Sequence, residues 1–399
     1  MLERLNYLAS AAQFDLCGNC GSPSRSPVDF IYRADLPNGG SVPVLKVLLT
    51  NVCVNDCAYC INQVGRDIPR CSFQPEELAR TFIDLHSKGI AQGLFLSSAI
   101  GTDATRTQES MINVVEILRH RYGFKGYIHL KILPGARFDS IEAACKLASR
   151  VSINIEAPTA QHLSVLSSKK DLQHDILDRM RFIKRLSAQD GGLAPSGQTT
   201  QFVVGAAGEK DIDILSTTEY LYGEIGLRRT YFSAFQPVQD SRLEHISPTP
   251  PMREHRLYQA DWLLRVYRFS PQEVNLAAGK DGNLSLLKDP KIIIAQKQPW
   301  LFPVDVNTAR YEELLRVPGI GPISAKRIVQ TRKVSSISSL QQLKKMKIST
   351  KWALPFIWFK SMLREERQTQ MPFDMDERVD LVPAVSTESL QFSSPTRDH

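Results

Sequence analysis

Six apolar, β-branched runs recur along the first 240 residues, each followed by a helical pattern. They stand at 44–51 (VLKVLLTN), 93–100 (GLFLSSAI), 126–133 (GYIHLKIL), 150–157 (RVSINIEA), 199–206 (TTQFVVGA) and 229–238 (RTYFSAFQPV). Between them, apolar residues fall at helical spacing: Leu78, Phe82 and Leu85; Ile112, Val115 and Leu118; Ile176, Met180 and Ile183. Weaker helical stretches cover 139–149 and 211–224. Strand and helix in alternation demand parallel strands joined by right-handed crossovers. Six units are too few to close an eight-unit barrel, so the expected architecture is an α/β fold with an open, partial (βα)6 TIM-like barrel. In such a fold chemistry belongs at the carboxyl ends of the strands.

Directly after the first run comes TNVCVNDCAYCINQ, with Cys53, Cys57 and Cys60 inside eight residues. The chain has seven cysteines, at 17, 20, 53, 57, 60, 71 and 145, an odd number unevenly placed. Spacing of that kind points to a metal or redox centre rather than a disulfide framework. Three thiolates suit a [4Fe–4S] cluster with one iron left open. The alternative is a zinc site that borrows Cys71 or a distant His as its fourth ligand. Cys17 and Cys20, in LCGNCG, are two ligands and do not make a site by themselves.

Elsewhere the first 240 residues place polar groups on strand positions that share a face. Asn154 and Glu156 alternate in SINIEAPT, and His129 and Lys131 alternate in YIHLK. Each pair is expected to project into the barrel, with Lys131 a candidate proton donor or anion contact.

The charge is also uneven. The chain carries +7 overall, yet residues 291–360 hold thirteen Lys and Arg against three acids, a net +10. A local excess of that size suits a polyanion. Within it, DVNTARYEELLRVPGIGPISAKRIVQTR (305–332) reads as two short helices about a tight turn. Asn307 is the expected N-cap of the first, over 308–316. Gly319 and Gly321 allow the turn, and Pro322 opens the second helix, where its missing N–H costs nothing. The free N–H groups of that helix, with Lys326 and Arg327 behind them, form a candidate anion site. A second, glycine-free copy over SSLQQLKKMKISTKWALPFI is expected to pack on the first.

These motifs carry resemblances. Cys-x3-Cys-x2-Cys with Tyr59 before the last cysteine, on the loop after a first strand, resembles the radical S-adenosylmethionine superfamily. The resemblance implies that the open iron chelates S-adenosylmethionine and that one electron cleaves it to methionine and a 5′-deoxyadenosyl radical. It implies cosubstrate contacts at Ser97 and Ser98, where relatives have a Gly-Gly-Glu-like motif whose acid is absent here. Asn154, Glu156 and, from the fifth strand, Gly205 are implied as further cosubstrate contacts, with Lys131 and Glu156 as catalytic candidates. VPGIGPISAKRI resembles a helix-hairpin-helix motif, whose relatives grip the DNA backbone through hairpin amides, indifferent to base sequence.

Taken together, residues 1–362 resemble the group of DNA modification or repair radical SAM proteins. The further stretches that carry this are GLFLSSAI, GYIHLKILPG, SINIEAPT, HRLYQADWLLR (255–265), FPVDVN and LLRVPGIG. The group implies DNA as substrate, a reductant such as flavodoxin or ferredoxin, and a uracil-DNA-glycosylase-like partner. RNA modification and a cluster-bearing DNA sensor without turnover are the competing expectations. The expected divisions are an N-terminal extension (1–40), the radical SAM core (41–245), a connecting helical segment (246–302), a small all-α helix-hairpin-helix unit (303–362) and a disordered tail (363–399). No run of about 18 apolar residues occurs, and MLERLNYLASAAQFD does not resemble a secretory signal. A cytoplasmic protein away from membranes is expected.

Overall fold

The computed structural model describes residues 2–12, 31–35, 41–189 and 192–359. Cys17, Cys20 and the tail from 363 lie outside the described residues. Seven strands form one curled, half-barrel sheet in chain order: β1 (Ile31–Asp35), β2 (Ser41–Leu48), β3 (Gly93–Ser97), β4 (Tyr127–Lys131), β5 (Arg150–Ser152), β6 (Gln198–Val204) and β7 (Arg229–Ala234). From β2 to β7 every pairing is parallel, which gives the six expected units. β1 is an addition. It pairs antiparallel with β2, so the N-terminal stretch supplies an edge strand that its short IYRAD run did not announce.

The helices follow local signals. Asp103 starts Ala104–Glu116 by accepting the Arg106 N–H at 2.8 Å. Gln74 and Glu77 form a capping box before Pro75–Ser87. Leu78, Phe82, Met111, Ile112 and Val115 face the outer side of the sheet and join its core. Phe82, Phe202 and Phe232 are fully buried there, and truncating such a residue to Ala costs about 3–5 kcal/mol.

The connecting stretch belongs to that same core. Helices Pro251–Arg265, Pro271–Asn275 and Pro290–Lys297 contribute Leu257, Leu263, Val274 and Ile294 to it. Residues from Val304 to Phe359 build a second core around Leu314, Leu315, Ile320, Ile328 and Leu343. This unit is helical as expected, with one addition: β8 (Val304–Asp305) and β9 (Ile357–Trp358) pair in parallel and tie its two ends together. Among the described residues, no helix is long and apolar enough to cross a membrane.

Candidate functional site

Beyond β2 the chain leaves the sheet as the cysteine loop, and the fold spends many hydrogen bonds on its shape. The Arg70 guanidinium donates to the carbonyls of Asn51 (2.7 Å), Asn62 (2.9 Å) and Gln63 (2.8 Å). Buried Asn51 donates to the Pro69 carbonyl and accepts the Cys71 N–H, both at 2.7 Å. Cys53, Cys57 and Cys60 line a cavity of about 380 Å3 at the carboxyl ends of the strands. The Cys53 and Cys60 sulfurs accept the N–H groups of Asn55 and Asn62 at 3.4 Å. Burial pushes the Cys60 thiol up to about 12, and the Cys57 and Cys53 sulfurs push the same way. Three thiolates crowded together thus call for positive charge among them.

Cys53, Cys57 and Cys60 line this one cavity from a single loop, and Cys71 and Cys145 stand outside its lining. Three cysteine donors on one loop fit a cluster held by three cysteines.

Tyr59, Ser97, Ser98, Lys131, Asn154 and Glu156 line the same cavity, so the structure gathers all but one of the expected core-site residues. Lys131 donates to the Asn154 side-chain carbonyl at 2.6 Å. β5 ends at Ser152, so strand alternation does not aim Asn154 and Glu156. Glu156 instead adopts a left-handed φ of 65°, and its backbone rejoins β6 through Gln201 and Val203. A side-chain-bearing residue in that region stores strain of the kind found at functional sites. Gly205 is the exception. It lies outside the lining at φ 93°, where Thr249 leaves no room for a Cβ, and Glu209 accepts its N–H.

One element escaped the sequence reading. Residues 167–170, SSKK, follow the short helix Ala160–Leu166 and clamp the cysteine loop. Asp56 accepts the hydroxyls of Ser167 (2.6 Å) and Ser168 (2.7 Å), which outweigh burial and hold its carboxyl down at about 2. Lys169 donates to the Val54 carbonyl at 2.6 Å. Lys170 bridges the Tyr59 hydroxyl (2.9 Å) and Glu156 Oε1 (3.1 Å). Burial opposes its charge, but the Cys57 sulfur and the Glu156 carboxylate prevail and raise its pKa. Burial, with the same two neighbours, raises that of Tyr59. Glu156 Oε2 is buried without a hydrogen-bond partner. A polar run next to a short helix gives no local sign of any of this.

In the C-terminal unit the helices are Tyr311–Arg316 and Pro322–Arg332, with Gly319 at φ 79° between them. Pro322 stands at the first helical turn, as expected. Asn307 is not the cap of the first helix. Its side chain accepts from and donates to the Ile337 backbone, and Arg310 takes the cap position. Gly321 has an ordinary φ and no capping side chain, and the Tyr267 hydroxyl would stand 3.1 Å from a Cβ there. Lys326 is exposed, whereas Arg327 donates to the Met346 carbonyl at 3.1 Å and braces the following helices, Leu340–Lys345 and Thr350–Ala353. Two contacts fasten the unit to the barrel side. Lys291 Nζ donates to the Ile320 carbonyl at 2.6 Å, and Arg316 pairs with Glu273 at 2.8 Å.

Residues 303–350 match the family model of the helix-hairpin-helix motif. No curated protein matches the chain in sequence. Among solved structures, the FeFe-hydrogenase maturase HydG from Carboxydothermus hydrogenoformans aligns at 15% identity over 55% of this chain and 51% of its own, with a TM-score of 0.44. Methylornithine synthase (PylB) aligns at 14% identity over 55% of this chain and 61% of its own, at 0.46. Streptococcus suis SuiB, bound to S-adenosylmethionine, aligns at 12% identity over 56% of this chain and 48% of its own, at 0.43. The chain thus spans about half the length of the first of these. Likenesses of this size leave the chemistry to the site's own residues.

Proposed function

We propose that this chain is a radical S-adenosylmethionine enzyme that modifies or repairs DNA held by its helix-hairpin-helix unit. The observation that carries the reading is the shared cavity: three cysteines one ligand short of a closed set, facing Lys131, Asn154, Glu156 and Lys170. Cys53, Cys57 and Cys60 would hold a [4Fe–4S] cluster, and the chemistry it would supply is one-electron reduction of S-adenosylmethionine.

The chain's own groups do the rest. Glu156 Oε2, buried and unpartnered, is an acceptor for a cosubstrate hydroxyl or amino group. Lys170 fixes the other oxygen of that carboxylate and the Tyr59 hydroxyl together, so the loop and its acceptor keep one geometry. Ser97 and Ser98 keep the small residues of the relatives' motif, and with Ala99 in place of its acid, hydroxyls and backbone carbonyls serve instead. Lys131 holds Asn154 and brings a fixed positive charge into the cavity. Burial of the site excludes water from a reactive species.

The hairpin amides, with Lys326 beside them, are the phosphate grip. A base or sugar must leave the stack to enter the cavity. The partners that go with this reading are a one-electron donor such as flavodoxin or ferredoxin and, from the resemblance of the whole chain, a uracil-DNA-glycosylase-like protein. The test is anaerobic reconstitution with iron and sulfide, reduction, and measurement of 5′-deoxyadenosine with and without DNA. Product that rises with DNA is expected. No product from cluster-loaded, reduced protein under any condition overturns the reading, and stimulation by RNA alone reassigns the substrate.

A further inference from the structure

We infer that Trp352 and the hairpin together form a subsite for an unpaired nucleotide, so that the C-terminal unit selects single-stranded or locally opened DNA over continuous duplex. The inference rests on the DNA reading above and adds the form of DNA. The hairpin abuts the Ser349–Ala353 turn closely. A Cβ on Gly319 would meet the Ser349 carbonyl at 2.7 Å and the Trp352 Cβ at 3.2 Å. The indole therefore starts beside the turn that precedes the amides of helix Pro322–Arg332. It is 42% exposed, although the unit has a core of its own in which Leu314, Leu315, Ile320 and Ile328 are buried. Ile323, in the first turn of that helix, is 67% exposed.

The surroundings of the indole are cationic. Lys351 lies with Nζ 5.2 Å from its ring centroid, and Lys344, Lys345 and Lys347 precede it in the chain. An aromatic face interleaved with lysines is the arrangement that stacks bases while charge tracks the backbone. A phosphate on the hairpin amides brings the adjoining base within reach of the indole only if that base is not stacked in a duplex. Duplex DNA can satisfy the hairpin but leaves Trp352 uncovered. Such a choice also suits the barrel, whose buried cavity admits only an unstacked target.

The experiment uses the full chain, a labelled short single strand and its duplex, at one salt concentration, with anisotropy as readout. Wild type is expected to favour the single strand. Trp352→Leu is expected to lose about 10-fold of single-strand affinity, with duplex affinity unchanged. Trp352→Phe, which keeps an aromatic face, is expected to retain the preference, and thermal melting of both variants checks that the unit stays folded. If Trp352→Leu leaves the single-strand to duplex ratio as in wild type, or lowers both affinities alike, the subsite is overturned while the DNA reading stands. If wild type binds neither form, the DNA reading itself fails and this inference with it.

Discussion

The two functional regions of this chain are built on opposite principles. Around the cysteines, side chains meet side chains in a buried site: Lys170 on Tyr59 and Glu156, Ser167 and Ser168 on Asp56, Lys131 on Asn154. At the hairpin, on the function proposed above, the working groups are backbone N–H groups, and residue identity matters mainly for fit, as where Tyr267 approaches Gly321. Buried polar networks make every member costly to remove. Exposed charges are screened and act nearly independently. Substitutions in the barrel are therefore expected to have large, coupled effects, and substitutions in the hairpin small, additive ones.

The sharpest break of that contrast comes from the cysteines. Cys57→Ala is expected to abolish iron and sulfide incorporation on anaerobic reconstitution while leaving DNA affinity unchanged. Loss of both properties together would dissolve the division into two regions. Next in size is Lys170→Met. Its ammonium and the Glu156 carboxylate are only 7% and 6% exposed, so removing one strands the other with little hydration to compensate. Breaking such a pair costs about 3–5 kcal/mol, read from denaturant unfolding. Pairing it with Glu156→Gln should recover part of that loss, because the stranded charge is gone. A double variant as unstable as the sum of the singles would mean that the two groups are not coupled.

How much of this was legible in sequence depends on distance along the chain. The six strands and the cysteine loop were legible because their signals are local, a repeated apolar run and a spacing of three and two. Asn154 and Glu156 were found by an alternation argument whose premise fails, since the ladder ends at Ser152. What turns Glu156 inward is its left-handed backbone, which no spacing rule shows. Lys170 was invisible because it meets Tyr59 across 111 residues, and only the winding of the barrel brings them together. Arg70 has no local sequence signal, yet it gathers the carbonyls that shape the loop. In the basic unit, counting charge could not separate Lys326, which is exposed, from Arg327, which is spent on the Met346 carbonyl. Lys326→Gln should accordingly weaken DNA binding evenly across sequences and lower the salt slope by about one. Arg327→Gln should instead act through the stability of the unit, seen as a lower melting temperature.

The smallest expected effect tests whether the two regions are separate at all. Lys291, on a helix of the barrel side, is buried beneath the hairpin, with its Nζ on the Ile320 carbonyl and 4.6 Å from the Tyr267 ring centroid. Burial pushes its ammonium down to about 7, and the Asp289 carboxylate only partly offsets this. The folded value lies below that of an ordinary lysine, so between about pH 7 and 10.5 the unfolded chain binds the extra proton. Stability from this group therefore rises with pH across that window. DNA affinity should move the other way, because deprotonation removes a positive charge from behind the phosphate grip. Residues 303–359 contain no histidine to titrate in its place. Between pH 6 and 8 affinity is expected to fall roughly two-fold by this charge alone, and Lys291→Met should flatten that profile together with its share of the stability profile. Opposite slopes in wild type, both lost in one variant, would make Lys291 the point where the barrel tunes the hairpin. Unaltered slopes in the variant would mean that Lys291 fastens the hairpin to the barrel side without tuning it.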